Sequence, residues 1–287
     1  MIYTFMYEHR RDFRVKKMAE VLKVCRSGYY EWIKNRKTKR EIEDERFLEL
    51  IKVEFEKSRR TYGARRVSKG LQKQGVKIGR FRTERIMSEN NIVPKTVKKF
   101  KATTNSNHNY PVSPNLLNRN FKVDAPCVAW VTDITYVATR EGWLYLAAVM
   151  DLFSGRIVGW AMGSTMTQWL VIDALKQAVG RTNPQRGIIC HSDRGVQYAS
   201  KKYRALLKKY GFIQSMSRKG DCWDNAPMES FFGTLKTELI YHEDYRTRAE
   251  AMHSIFDYVE TFYNKIRLHS KLGYDSPENY EKSRKSA

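Results

Sequence analysis

The sequence predicts a mixed α/β domain that follows an all-α region, and three observations carry this prediction. Before residue 101 the apolar residues recur at helical spacing, whereas β-branched and aromatic runs between short turns dominate after residue 121. Three of these runs follow one another directly. Two further short apolar runs each follow a helical pattern. Together they predict a mixed five-stranded sheet with flanking helices.

The first 101 residues are predicted to form helix–turn–helix units. The segments VKKMAEVLKV and CRSGYYEWIKN form one helix pair with a break at 25–27, and a charged helix at 40–58 follows. A second pair, YGARRVSKGLQKQG and VKIGRFRTERIMSENN, is broken at Gly75. Residues 102–120 are rich in Asn, Ser, Thr and Pro and lack periodicity, which predicts a linker.

The chain is strongly basic, and the excess is concentrated in the helical region. The net charge is +22, and residues 1–120 hold 30 Lys and Arg against 13 Asp and Glu. Residues 59–101 hold 14 basic residues and only two acidic ones. We expect double-stranded DNA as the polyanionic partner, although a solvated role for some of these residues is the alternative. The candidates for DNA contact are Arg65, Arg66, Arg80, Arg82 and Arg85.

Several other classes of protein are disfavoured. No apolar run approaches the ~18–20 residues that span a bilayer, and the N-terminus lacks the apolar core of a signal peptide. The four cysteines are scattered without a C-x-x-C pair, which argues for a reducing compartment and against a disulfide framework or zinc knuckle. A cytoplasmic protein without a membrane partner is expected.

Residues 121–287 are predicted to form the α/β domain. Its first three strands lie in CVAWVTDITYVAT, WLYLAAVMDLFS and RIVGWAMG. A helix at 167–181 precedes the short strand GIICHSD, and a helix at 198–211 precedes the strand FIQSMS. Helices at 225–241 and 247–266 close the domain, and a polar tail is expected after them.

Three carboxylates stand where such a domain can bring them together. Asp133 interrupts an apolar strand, where a lone carboxylate is costly unless it is paired or binds a cation. Asp193 ends the strand GIICHSD, at the edge where α/β sheets bind ligands. Glu229 lies near the start of a helix with Pro227 in its first turn. Convergent carboxylates suit Mg²⁺ or Mn²⁺, and two such ions support phosphoryl transfer.

Structural interpretations compete for the neighbouring polar residues. Asp151 is interpreted as a turn residue rather than a fourth ligand. Asp221 and Asp224 are interpreted as loop and helix-capping residues, with a contribution of charge to the site as the alternative for either. His191 is as consistent with a structural hydrogen bond as with a catalytic aid.

The helix that carries Glu229 also predicts a contact with DNA. Its apolar face is expected to join the core and comprises Met228, Phe231, Phe232, Leu235 and Leu239. Glu229, Gly233 and Lys236 follow at i, i+4 and i+7 on another face. Glycine within a helix costs ~1 kcal/mol relative to alanine, and tight helix packing is one explanation for it. The hypothesis we prefer is that Gly233 leaves space for a DNA backbone that Lys236 contacts.

The spacing of the three acids, and the segments around them, resemble one family. Fifty-nine residues separate Asp133 from Asp193 and 35 separate Asp193 from Glu229, which resembles the D,D(35)E signature of ribonuclease-H-like transposases and retroviral integrases. Six segments are similar to transposases of the insertion sequence 3 family: SGYYEW, TYGARRV, WVTDITY, HSDRGVQY, DNAPMES and YNKIRLHSKLGYDSPENY. The sequence has no N-terminal His/Cys zinc site like that of retroviral integrases, which favours the bacterial branch.

This resemblance implies a ribonuclease-H-like catalytic domain and a DDE transposase. Members of the family cut and join the ends of a bacterial insertion sequence with divalent metal and without a covalent protein–DNA intermediate. The resemblance also implies terminal inverted repeats and target DNA as partners, a homo-oligomer on DNA, association with the nucleoid, and possible fusion with an upstream-frame product. A Lys or Arg two turns after the Glu is a feature of the superfamily, as Lys236 is here.

Two alternative functions stay open from the sequence. One is a structure-selective nuclease that uses the same metal site without strand transfer. The other is a non-catalytic DNA-binding protein derived from a transposase, against which the intact acidic triad argues. For Arg267 and His269, packing near the site and contact with DNA are both consistent with the sequence.

Overall fold

The helical region contains six helices in the computed structural model, which describes residues 1–35, 37–95, 111–219 and 221–285. They are α1 (Ile2–Glu8), α2 (Val15–Val21), α3 (Arg26–Asn35), α4 (Lys39–Lys57), α5 (Ala64–Lys73) and α6 (Arg80–Glu89). The two predicted helix pairs, α2–α3 and α5–α6, are confirmed, as is the charged helix α4. Helix α1 was not predicted, because it is short and only Met6 among its seven residues is buried.

The turn between α5 and α6 depends on one glycine. Gly75 has a φ of +83°, in the left-handed region that disfavours residues with a Cβ. The Val76 N–H donates to the Leu71 carbonyl at 3.1 Å, and the Gln72 side chain donates to the Ile78 carbonyl at 2.7 Å. These bonds close α5 and set the direction in which α6 begins.

The α/β domain contains the predicted mixed sheet. Its strands are β1 (Ala129–Thr139), β2 (Gly142–Asp151), β3 (Ile157–Gly163), β4 (Ile189–Ser192) and β5 (Ile213–Met216). Their order is β3-β2-β1-β4-β5; the first three strands are antiparallel, whereas β4 pairs in parallel with both β1 and β5. The five-stranded prediction is therefore confirmed, including the change from antiparallel meander to alternating helix and strand.

Six helices flank the sheet. They are α7 (Gln168–Thr182), α8 (Val196–Ala199), α9 (Lys201–Tyr210), α10 (Ala226–Glu238), α11 (Arg248–Asp257) and α12 (Pro277–Lys285). Helix α11 continues as a π-helical turn over Tyr258–Tyr263. The prediction of a polar tail is wrong, because α12 forms there and is hydrogen-bonded to the turn between β2 and β3. The buried Glu281 accepts hydrogen bonds from the Ser154 hydroxyl at 2.7 Å and from Arg156 at 3.2 Å.

The sheet separates two hydrophobic cores, as the alternation of side chains along β1 requires. Trp130 packs on one face with residues of α7 and α9. Val131 packs on the other face with Phe231, Phe262 and the apolar residues of α4, α5 and α6. These three helices thus share a core with the α/β domain, whereas α1, α2 and α3 pack around a small core of their own.

Polar contacts join the helical region to the end of α11 and to the segment that follows it. The Tyr62 hydroxyl accepts from the Leu268 N–H at 2.6 Å, and Arg59 pairs with Asp257 at 2.8 Å. Lys73 forms an ion pair with Asp275. The interface therefore combines a shared apolar core with directional bonds at its rim.

A buried ion pair lies at the centre of the same interface. Arg267 donates two hydrogen bonds to the Glu238 carboxylate, at 2.8 and 2.7 Å, and both side chains are almost fully buried. The Tyr258 hydroxyl donates to the same carboxylate at 2.7 Å, and Arg66 lies 3.6 Å from it. Glu238 thus links α5, α10 and the segment that follows α11.

The described part of the predicted linker, residues 111–120, lies against the α/β domain. The Leu116 N–H donates to the Ser215 hydroxyl at 2.9 Å, and the Met216 N–H donates to the Pro114 carbonyl at 3.3 Å. These bonds attach the segment to β5. Residues 102–110 of the linker, like 96–101 before it, lie outside the described residues. In the ranges that the structure does describe, no helix is long and apolar enough to cross a membrane.

Replacing Arg267 with alanine is expected to lower the free energy of unfolding by about 3–5 kcal/mol, because Glu238 would keep a buried charge without its partner. Urea denaturation followed by circular dichroism measures this loss. Arg140→Ala is the control, since Arg140 forms only an exposed ion pair with Asp244 and should change stability little. Equal losses in the two variants would contradict the structural role of the buried pair.

Candidate active site

The end of the pairing between β1 and β4 determines where the first two acids lie. Parallel pairing continues only as far as Val131 and His191. Asp133 and Asp193 each lie two residues beyond that pair, so both point to the same side of the sheet. Beyond Val131, β1 remains paired with β2 on its other side, with Asp133 opposite Ala148. The two carboxylates are therefore neighbours at an edge where β4 has already ended.

The backbone nearby orients each of these carboxylates. Asp133 Oδ1 accepts from the Ile134 N–H at 2.8 Å, and Asp193 Oδ1 accepts from the Gly195 N–H at 2.9 Å. The second bond closes the turn that leads from β4 into α8. Both side chains are only partly buried, which leaves them accessible from solvent.

The electrostatics of Asp133 show how closely the acids interact. Burial raises the pKa of the Asp133 carboxyl well above its ordinary value, and the charge of Asp193 raises it further. The bond from Ile134 lowers this pKa, Glu229 raises it, and the Lys236 ammonium lowers it. Asp133 therefore lies in a field of negative charge that one lysine only partly offsets.

Helix α10 carries the third acid above this edge. Pro227 lies in its first turn, and the predicted apolar face is confirmed, because Met228, Phe231, Phe232 and Leu235 are buried. Glu229 lies on the exposed side, and partial burial raises the pKa of its carboxyl. The Asn225 side chain donates to the Thr132 carbonyl at 3.3 Å, which ties the start of α10 to the strand residue before Asp133.

Lys236 and Gly233 lie further along α10. The Lys236 ammonium is 4.9 Å from the centroid of the Tyr136 ring; burial lowers its pKa, while Asp133 raises it. Gly233 is exposed, and a Cβ added there would meet no heavy atom within 4 Å. Tight helix packing therefore does not explain the glycine.

A metal site is not fully assembled from these side chains alone. Across the described residues, no three Asp, Glu, His or Cys side chains already form a group that could hold a metal ion. The structure brings Asp133 and Asp193 together, and Glu229 contributes charge from the exposed side of α10.

Comparisons with known proteins give matches in both the helical region and the α/β domain. Two family models, both described as integrase core domain, match residues 124–222 and 229–284, and a model described as HTH-like domain matches residues 41–100. The transposase InsF of insertion sequence IS3A from Escherichia coli (strain K12) is 39% identical over 283 residues, which cover 98% of each chain. The chain belongs to the insertion sequence 3 family of transposases. It is a DNA transposase with an integrase core domain.

Other relatives are similar over most of their length. A 31 kDa protein of insertion element IS600 from Shigella sonnei is 49% identical over 260 residues, which cover 91% of this transposase and 96% of that protein. Among solved structures, the HTLV-2 integrase catalytic core domain in complex with magnesium is 15% identical with a TM-score of 0.44, covering 55% of this chain and 97% of that chain.

Asp224 in the transposase is neither a helix cap nor a member of the acidic group. It is completely buried, and its carboxylate accepts hydrogen bonds from Arg218 at 2.8 Å, Arg119 at 3.0 Å and Asn115 at 2.9 Å. The Arg218 guanidinium holds the pKa of this carboxyl well below its usual range. The capping interpretation is wrong, because these partners occupy the oxygens that a cap would use. Asp221 also pairs with Arg119.

Asp151 and His191 have structural roles. Asp151 is buried and accepts from the Cys127 N–H at 2.7 Å, the Phe153 N–H at 2.9 Å and the Trp130 indole at 3.1 Å. This confirms the turn interpretation. His191 is buried, with its two ring nitrogens 2.8 and 3.2 Å from serine hydroxyls, and burial lowers its pKa to about 4. Its ring is therefore neutral at neutral pH, as a structural hydrogen-bonding group would be.

The five arginines predicted to contact DNA lie in three different environments. Arg82 and Arg85 both pair with Asp44, at 2.7 and 2.5 Å, and so hold α6 against α4. Arg66 is partly buried near Glu238. Arg65 and Arg80 are exposed; Arg80 lies 3.7 Å from Glu84.

The choice left open for Arg267 and His269 is resolved in favour of packing. Arg267 is buried against Glu238, and the His269 ring contacts the Tyr263 ring with centroids 5.0 Å apart. The importance of Arg119, Arg218 and Glu238 was missed by sequence reasoning. Their partners are distant in sequence or were interpreted as loop acids, so no local pattern marks them.

Replacing Asp224 with asparagine is expected to lower the free energy of unfolding by about 2 kcal/mol above pH 5, because hydrogen bonds from charged donors to a buried carboxylate are lost. Since the folded pKa of Asp224 is depressed, this contribution is present above the unfolded pKa of about 4 and declines as the pH falls below it. The difference between wild type and variant should therefore shrink toward pH 3 in urea titrations. Asp221→Asn, at a more exposed carboxylate, should cost less.

Proposed function

We propose that this transposase performs metal-dependent strand cleavage and strand transfer at the ends of a bacterial insertion sequence, with Asp133, Asp193 and Glu229 as catalytic residues. The observation that supports the proposal is the pairing of β1 with β4, which ends at Val131 and His191 and so leaves Asp133 and Asp193 at the same sheet edge. Water attacks a phosphodiester at the end of the element, and the freed 3′-hydroxyl then attacks a phosphodiester of the target.

The donor set fits Mg²⁺ or Mn²⁺, because all three side chains offer carboxylate oxygens and hard divalent cations prefer oxygen ligands. The raised pKa of Asp133 supports the same assignment, since burial and then the charge of Asp193 disfavour the ionised carboxylate that a bound cation would stabilise. Asp133 and Asp193 would hold the ions jointly, and Glu229 would complete the set. Two such ions, when bound, activate the attacking oxygen and stabilise the leaving oxygen.

The remaining groups on α10 position the DNA. With no side chain at Gly233, a phosphodiester backbone can lie directly against the exposed side of the helix. The Lys236 ammonium lies one turn further on and contacts a phosphate there. The lysine thus orients the strand relative to the carboxylates while carrying no sequence information.

The helical region supplies the larger part of the DNA-binding surface in this proposal. Residues 1–101 bind the terminal inverted repeats, and residues 102–120 connect this region to the catalytic domain. Residues 121–287 cut and join the DNA. Exposed Arg65 and Arg80 are the strongest candidates for phosphate contacts. The active form is a homo-oligomer on DNA in the cytoplasm, at the nucleoid, and fusion with an upstream-frame product extends it.

Replacing Glu229 with glutamine is expected to abolish cleavage, by at least about a hundredfold, and to preserve DNA binding, because only a ligand charge is lost. Labelled duplexes that carry the element's own ends, incubated with Mg²⁺ or Mn²⁺, report cleavage and joining on a gel. Calorimetric titration with Mn²⁺ should show weaker binding in this variant and in Asp133→Asn. Asp173→Asn, at an exposed acid on α7, is the control.

The same assay separates the alternatives. Cutting without joining by the wild type would indicate a nuclease, and binding without cutting would indicate a non-catalytic protein. Full cleavage activity in Glu229→Gln would contradict the assignment of the acidic triad.

Replacing Gly233 with alanine separates the two explanations of this residue. Alanine should raise the free energy of unfolding by about 1 kcal/mol, since its Cβ meets no neighbour and helix propensity improves. Binding of the DNA ends should nevertheless weaken, because the methyl group obstructs the backbone. Lys236→Ala should weaken the same binding and reduce its salt dependence by about one phosphate contact. Unchanged end binding in both variants would overturn the proposed DNA path.

A further inference from the structure

Phe81 is the most exposed aromatic side chain among the described residues, with 82% of its surface accessible. It is the second residue of α6, whose opposite side enters the core through Thr83, Ile86 and Met87. The Arg80 guanidinium lies 5.8 Å from the Phe81 ring centroid. Packing within the fold does not explain why a phenylalanine is exposed to solvent at the start of a basic helix.

The position of α6 in the helix pair indicates what the Phe81 side chain contacts. Helices α5 and α6 form a helix–turn–helix pair around Gly75, and α6 is the second helix. In such pairs the second helix enters the major groove, and residues near its N-terminus contact base edges. Phe81 lies at that N-terminus and points to solvent, so it would meet base edges rather than phosphates.

A basic cavity at the start of α6, lined in part by Arg80, supplies the complementary charge. It measures about 410 Å³ and is lined by side chains of Arg65, Arg66, Arg80, Glu84, Ser270 and Tyr274. Helices α5 and α6 both begin after a glycine without a side-chain cap, which leaves their first N–H groups available to an anion. The cavity and the helix starts together favour a DNA phosphate next to the groove that α6 enters.

We propose that Phe81 reads a thymine in the terminal repeats by contact with its C5-methyl group. This inference rests on the proposed function. Phenylalanine has neither donor nor acceptor, so it cannot recognise the polar edges of bases. Thymine is the base that presents an apolar group in the major groove, and phenylalanine is suited to contact that methyl. Phe81 is thus a specificity-determining residue, and Arg65 and Arg80 hold the adjacent backbone.

The test removes the methyl group from the DNA and the ring from the protein. Duplexes carrying the element's terminal repeats are prepared with each thymine replaced singly by uracil, and binding is measured by fluorescence anisotropy. At least one replacement should weaken wild-type binding about fourfold, which corresponds to about 0.8 kcal/mol for one buried methyl group. The same replacement should leave the affinity of Phe81→Ala unchanged, because that variant has already lost the contact.

The matched control is Val53→Ala, which removes another exposed apolar side chain from α4. It should bind like the wild type and keep the full response to uracil. Thermal melting should be the same for all three proteins, because neither side chain is packed in the core.

Two results would overturn the inference: no uracil replacement weakens wild-type binding, or every effective replacement weakens Phe81→Ala equally. If the wild type still cleaves the ends in either case, only the inference fails. If the wild type neither binds nor cleaves those ends, the proposed function fails with it.

Discussion

The parallel pairing of β1 with β4 ends at Val131 and His191, and the candidate active site depends on this short register. Asp133 and Asp193 each lie two residues beyond this last pair, at the edge where β4 has ended. Pairing with β2 keeps β1 extended past this point, so Asp133 is held in a strand although one side of that strand is open. The site is therefore a gap in the sheet that α10 partly covers.

A buried carboxylate that is paired with arginine fixes α10 at each of its ends. Asp224 lies just before it and is bound by Arg119 and Arg218. Glu238 is its last residue and is bound by Arg267. Between these two anchors α10 presents Glu229 on its exposed face, the face that interacts with DNA and metal in the proposed function. Of the three acids around the start of this helix, Asp221 and Asp224 are paired with arginine, and Glu229 is exposed.

The sequence predicted the fold well because local patterns specify it. Strand alternation in β1 and the apolar stripe of α10 each depend on neighbouring residues, and so does the isolation of Asp133 in an apolar run. The roles of Asp224 and Glu238 were not predictable, because Arg119 and Arg267 approach them from distant segments. For the same reason Arg82 and Arg85 looked available to DNA, whereas tertiary contact with Asp44 engages them. Charge composition locates a basic region but does not say which charges are already paired.

The shared core of α4, α5, α6 and the α/β domain limits how this protein can evolve. A DNA-binding module on a free tether can be exchanged between relatives by recombination at the tether. Here such an exchange would also replace the partners of Leu268, Asp257 and Asp275. A chimaera would keep its reading frame and lose its interface. New end specificity is therefore expected to arise by substitutions on exposed helix faces, with the buried half of each helix inherited unchanged.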